Sequence, residues 1–438
     1  MGEPTAWQTH RLDNGAQLLL APLAGRASVA VSLLIRVGSR WESTRLAGIS
    51  HFLEHMVFKG TERFPTSRDV SQSIEGVGGV LNASTDKELT SYWARVPERH
   101  LELALGLLLD MVLCPRLLSQ DSERERNVVL EELRMYRDQP SDLVHMLFDS
   151  LLYGSHPLAR DPVGTQASLE RIGAGELGAY RASHYLPERM VVVVAGAFAP
   201  QRALAAVRRS FAERGWDRGS SPGGPGQPKR QAPAPPRAPA AVRVRRRAGE
   251  QVHLLVGVRC HSYLSPDRWA LDVLSTILGE GMSSRLFLEI REKEGLAYDI
   301  HSFAARYRDS GGFGIYLATR PDQTEQALAG ALRQVRRLLQ ETIGPEDLSR
   351  ARNQIEGHLA LQLEGTGALS EFLGHQAALM DSVMSPSEVI RAVRGVSSEA
   401  VRDAAQTLFA QGGWRVAAVG PRVDAAGLEA AIGRELER

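Results

Sequence analysis

From Gly219 to Pro239 the chain reads Gly-Ser-Ser-Pro-Gly-Gly-Pro-Gly-Gln-Pro-Lys-Arg-Gln-Ala-Pro-Ala-Pro-Pro-Arg-Ala-Pro. Proline at this density removes backbone donors, and glycine adds conformational entropy that folding must overcome, so no core forms here and the stretch reads as an exposed, semi-rigid linker. It cuts the 438 residues almost in half. A chain of that length is too long for one core. The expected organisation is a domain over residues 1–215, a linker over 216–240 and a second domain over 241–438.

The two halves share one plan. In the first, Ala16–Leu20 and Ala27–Ile35 read as strands, the former entered through an Asn14-Gly15 turn. A helix follows at about 46–58. Gly76 to Thr85 leads into Thr90–Val96 as a hairpin. Helices at about 98–112, 122–138, 141–153 and 168–183 precede a buried strand at Met190–Gly196. In the second half, Val252–Val258 takes the place of the Ala27–Ile35 strand, and the Trp269–Gly279 helix that of the 46–58 helix. Phe313–Thr319 with the helix Gln323–Leu339 mirrors Tyr92–Met111, and Trp414–Gly420 mirrors the Met190 strand.

The halves differ in chemistry. Only the first carries His51-Phe52-Leu53-Glu54-His55. At about 100° per residue, His51 at 0° puts Glu54 near 300° and His55 near 40°, so all three share a helix face. Two imidazoles one turn apart, with a carboxylate beside them to take a proton from water, are what a catalytic zinc requires. The neighbours Phe52, Leu53, Met56, Val57 and Phe58 are apolar, a setting in which unpaired polar groups are costly. A third protein ligand is sought on the Ser122–Asp138 helix. With Glu125 at 0°, Val128, Val129, Glu132, Leu133, Met135 and Tyr136 fall between about 280° and 80°, and Glu131 lies opposite. Glu132 is therefore expected as the third ligand, and Glu125 as a carboxylate that orients a ligand or the water. His100, His145 and His156 lack partners at ligand spacing and are expected in surface or capping roles.

His51, Glu54, His55, the flanking Phe58-Lys59-Gly60-Thr61 and the distant Glu132 together resemble the pitrilysin family of zinc peptidases, over nearly the whole chain. The resemblance implies an α+β fold of two similar domains, each a mostly antiparallel sheet backed by helices, pairing as a clamshell dimer around a peptide. It also implies one Zn2+ per chain. Arg291 and Tyr298 are similar to the family's Arg/Tyr pair, which contacts substrate near the scissile bond; taken by itself, their segment reads as a helix capped by Gly295 and then a strand. A phenol and a guanidinium aimed at the carbonyl would stabilise a developing oxyanion. Having both motifs in one chain implies a homodimer.

The expected function is hydrolysis of peptides or unfolded polypeptides with Glu54 as general base. The substrate is expected as an added strand along Leu81 to Thr85, contacting Asn82, Ala83, Ser84 and Thr85. A processing peptidase for one defined precursor would share every motif. A non-catalytic scaffold would have no need of all four metal-site residues.

Lys+Arg 52 against Asp+Glu 51 gives no global electrostatic case for nucleic acid or a membrane surface. No apolar run approaches the ~18 residues that span a bilayer. Cys114 and Cys260 are too few for a disulfide scaffold, and a reducing cytoplasm is the expected location.

Overall fold

In the computed structural model, residues 7–217, 232–233, 241–380, 382–410 and 412–436 are described. The linker expected over 216–240 lies almost wholly outside them.

The first half supplies one sheet of six strands: β1 (Gln8–Arg11), β2 (Gln17–Pro22), β3 (Ser28–Ile35), β4 (Val80–Thr85), β5 (Thr90–Pro97) and β6 (Met190–Gly196). Their order is β1-β2-β6-β3-β5-β4. β2 and β6 run parallel, and the other neighbours antiparallel. The sequence explains the order. The apolar run Val191–Ala195 suits an interior strand covered on both faces, whereas β4 has no fully buried residue and ends the sheet. The Asn14-Gly15 turn joins β1 to β2 as expected, with Gly15 at φ +87° and the Asn14 side chain accepting from the Ala16 N–H at 3.0 Å.

The second sheet holds β7 (Ala241–Arg246), β8 (Val252–Cys260), β9 (Asp299–Arg306), β10 (Gly311–Thr319) and β11 (Arg415–Gly420), in the order β7-β11-β8-β10-β9. β7 and β11 are its parallel pair. Set beside β2-β6-β3-β5-β4, this is the same path, so the repeat read from the sequence is a repeat of topology, with β1 as an addition. Both sheets are mixed and backed by helices.

Of the described residues, those of Met1–Leu133, Arg160–Arg230 and Ala360–Ser385 make one compact unit, and those of Arg134–Ala159, Gln231–Leu359 and Pro386–Arg438 the other. The units depart from the boundaries expected at the linker because each half lends a helix to the other half's sheet. In the second unit, the Pro140–Tyr153 helix buries Val144, Phe148 and Leu152 against Leu255, Ala417 and Val419. The alternate residues Leu254, Val256, Val416 and Ala418 face the core made with the helices Arg268–Gly279 and Ser398–Phe409. In the first unit, the Thr366–Leu379 helix lies on β3 and β6, where the Ser370 hydroxyl donates to Ser32 Oγ at 2.7 Å. A Cβ at Gly374 would sit 2.5 Å from Leu34, so glycine permits this close approach. The Leu101–Leu113 helix also packs on β3 and β5 in the first unit.

The single helix expected over 168–183 is two, Gln166–Leu169 and Ala174–His184. The break falls at Gly173, whose N–H donates to Glu176 at 3.1 Å and begins the second piece. Among the described residues, no helix is long and apolar enough to cross a membrane.

Candidate metal centre

The Ile49–Val57 helix starts at Gly48, held at φ +92° where a Cβ would meet the Val163 carbonyl oxygen at 2.4 Å. Ile49, Phe52, Leu53, Met56 and Val57 anchor it in the core, and this fixes the face that carries His51, Glu54 and His55. The Ser119–Asp138 helix brings Glu125 and Glu132 to that face. His51 Nε2 lies 3.6 Å from Glu132 Oε1, and His55 Nε2 lies 3.5 Å from Glu132 Oε2. The three residues offer ligand atoms that all lie within 4.8 Å of one another.

These spacings fit a zinc ion. Tetrahedral coordination with bonds of 2.0–2.1 Å places neighbouring donors about 3.4 Å apart, close to what is found. Two imidazoles and one carboxylate are also the donor set of hydrolytic zinc, leaving a fourth position for water or substrate.

The electrostatics favour a cation. Glu125 Oε1 lies 2.9 Å from His55 Nδ1, and its other oxygen is 2.5 Å from Lys59 Nζ. With the proton on Nδ1, His55 Nε2 is free to face Glu132. Burial depresses His55, but the bonds to Glu125 and Glu132 outweigh it and lift the metal-free imidazole to about 9. His51 is pushed down to about 4, first by burial and then by the His55 charge. Burial raises Glu54, opposed by His55 and by the Thr85 hydroxyl, which donates to Glu54 Oε2 at 3.2 Å. A raised carboxyl beside the ligands is poised to take up a proton.

β4 carries Asn82, Ala83, Ser84 and Thr85 as the last strand of its sheet, and no strand pairs with its outer edge among the described residues. Asn82 and Ser84 are exposed, whereas Ala83 and Thr85 are half-buried on the face toward the metal helix.

Arg291 and Tyr298 belong to the second unit. The Arg291 guanidinium lies 5.5 Å from the Tyr298 ring centre and 4.8 Å from that of Phe287, and Tyr298 is 72 % exposed. Both line a cavity of about 370 Å³ with Gln251, Leu296 and Thr319. Phe287–Lys293 is wound as a π-helix, which periodicity alone did not reveal. It ends at Lys293 with Glu294 as its cap, and Gly295, the expected cap, follows one residue later at φ +63°.

One expectation is corrected. Val128 and Met135, placed inward by the helical arc, are 51 % and 56 % exposed, and the buried residues are Ser122, Glu125, Val129 and Leu133. The covered arc is narrower and turned by about 40° from the one centred on Glu125, which leaves Glu132 at its margin, half-buried and open to a ligand. His145 is exposed, as expected, and its ring stacks against Tyr316 with centres 5.9 Å apart. None of His100, His145 and His156 joins the metal group.

Sequence reasoning passed over Lys59, although its spacing of four from His55 was a usable signal, and the contact of Thr85 with Glu54, for which no local signal exists. It also passed over Glu42, whose carboxylate accepts from the Gly48 N–H at 2.7 Å and the Ser50 N–H at 2.8 Å.

Comparison with known proteins supplies the family. Residues 19–166 match the model described as insulinase (peptidase family M16), and residues 171–355 that of the peptidase M16 inactive domain. An uncharacterized zinc protease of Streptomyces coelicolor is 34% identical over 91% of this chain and 86% of its own length. One of Bacillus subtilis is 33% identical, covering 91% and 95%. Among solved structures, a protease from Helicobacter pylori is similar at a TM-score of 0.88 and 22% identity, over 95% of this chain and 100% of that one. A peptidase M16 inactive domain from Pseudomonas fluorescens gives 0.87 and 22%, over 95% and 98%. These two speak to the fold, whereas the curated relatives and family models, together with the donor set, place this chain in the M16, or pitrilysin, family of zinc peptidases.

Proposed function

We propose that the protein is a zinc-dependent endopeptidase acting on peptides or unfolded polypeptides, with one zinc per chain held by His51, His55 and Glu132. The observation that carries this reading is the Glu54 carboxylate, half-buried beside the three donors and touched by Thr85, the last residue of the edge strand β4. When bound, zinc would acidify a water and polarise the substrate carbonyl. Glu54 accepts the proton of the attacking water and returns it to the leaving amine. Glu125, braced by Lys59, fixes the His55 ring so that Nε2 points at the donor cluster. The peptide adds as a strand to β4, so that main-chain hydrogen bonds bind it without strict sequence preference.

Two chains pair as a clamshell homodimer, and Arg291 and Tyr298 stabilise the oxyanion. Exposure of Tyr298 supports a role in contacting a ligand. The two free cysteines agree with a reducing cytoplasm. Incubating purified protein with a mixed peptide library, with and without a chelator, and mapping cuts by mass spectrometry tests the activity. Chelator-sensitive internal cuts across many sequences are expected. Cuts in one sequence alone would favour a processing peptidase for one precursor, and no cuts at all a non-catalytic scaffold.

A further inference from the structure

The two histidines are held in different ways. His55 has its second ring nitrogen bound to Glu125, the usual arrangement for a metal-ligating imidazole. His51 Nδ1 is buried and, among the described residues, has no hydrogen-bond partner. Its direction at the donor cluster must therefore come from the backbone that carries it. That backbone is the first turn of a helix whose cap, Gly48, has no side chain to satisfy the turn's free N–H groups.

Glu42 supplies what Gly48 lacks. It lies six and eight residues before the two N–H groups it accepts, one on each carboxyl oxygen, and is only 5 % exposed. Arg160 donates to the Glu42 carbonyl oxygen and, at 3.1 Å, to Thr44 Oγ1, which pins the loop that carries Glu42. The Ser50 hydroxyl pairs with Tyr180 at 2.9 Å on the same turn. A carboxylate at a helix N-terminus is also favoured by the helix dipole.

We infer that Glu42 is a positioning residue for the metal centre: by capping the Gly48–Ser50 turn from a distance it sets His51, whose Nδ1 has no hydrogen-bond partner among the described residues. The inference rests on the metal-site reading above but is tested by metal affinity, which needs no peptide turnover. The variant is Glu42→Gln, whose amide can accept from only one of the two N–H groups. Ser397→Ala serves as a control, since Ser397 caps the Ser398–Phe409 helix in the second unit by accepting from the Ala400 N–H at 3.1 Å.

Zinc affinity is measured by competition with a chromogenic chelator, beside the apo-protein Tm and, at saturating zinc, kcat and KM. Glu42→Gln is expected to weaken zinc about 10- to 100-fold, the range for residues that orient ligands, and to lower kcat while KM stays within about twofold of the parent. Ser397→Ala is expected to lower Tm without moving zinc affinity. Glu42→Asp keeps the carboxyl group but is one methylene short, should fall between parent and Gln in zinc affinity, and decides the matter if the Gln variant does not fold. Zinc affinity of the folded variants within twofold of the parent, whatever the Tm, would overturn the assignment.

Discussion

The Thr85 hydroxyl donates to Glu54 Oε2 at 3.2 Å, so the end of the edge strand β4 and the carboxylate beside the metal donors are in direct contact. A peptide laid along β4 would arrive next to the group that handles the proton. The same bond bears on acidity, because a donor to a carboxylate favours its charged form.

Thr85→Val keeps the shape and removes the donor. Loss of a hydrogen bond to a charged group predicts a fall in kcat of about tenfold, with zinc content unchanged. Because the hydroxyl lowers the Glu54 pKa, its removal raises that pKa and moves the acid limb of the kcat/KM profile to higher pH. An unchanged kcat and acid limb would show that the contact has no part in the reaction.

The carboxylates at 131 and 132 should separate cleanly. Glu132 faces both imidazoles, whereas Glu131 is exposed on the other side of its helix. His51→Ala, His55→Ala and Glu132→Ala are each expected to lose zinc, and Glu131→Ala to retain about one ion per chain. Elemental analysis of the purified variants checks this, and retention in the Glu132 variant with loss in the Glu131 variant would reverse the ligand assignment.

Much of this centre was legible in the sequence because its parts are local. His51, Glu54 and His55 share a face by helical spacing alone, and Glu132 emerges from the same arithmetic on a second helix. The arithmetic fails at Val128 and Met135 because periodicity finds an apolar stripe but not how much of it a neighbour covers. The exchanged helices, Pro140–Tyr153 and Thr366–Leu379, were hidden for a related reason. An amphipathic pattern states that a face will be buried, not against which sheet. Glu42 was missed because a cap six residues upstream follows no short-range rule, and the π-helix over Phe287–Lys293 because seven residues are too few to show the period of its i→i+5 turns.

If two chains pair as the proposed homodimer with Tyr298 of each reaching the other's zinc site, mixed dimers provide a test. Glu54→Gln and Tyr298→Phe should each impair the homodimer. If Tyr298 serves the partner's zinc, a dimer of one chain of each kind keeps one whole site and should show up to about half of parental activity, counting sites as independent. A mixed dimer confirmed by tagged co-purification that recovers no activity would refute the sharing.

In the proposed function Glu54 moves the proton while His51, His55 and Glu132 hold the metal. Glu54→Gln tests it most directly, since an amide of the same shape cannot accept that proton. Zinc content and turnover of a quenched peptide should be measured on the same preparation of parent and variant. Full zinc occupancy with turnover lowered by several orders of magnitude is expected. Turnover within about tenfold of the parent at equal zinc would contradict it and assign the proton to another group.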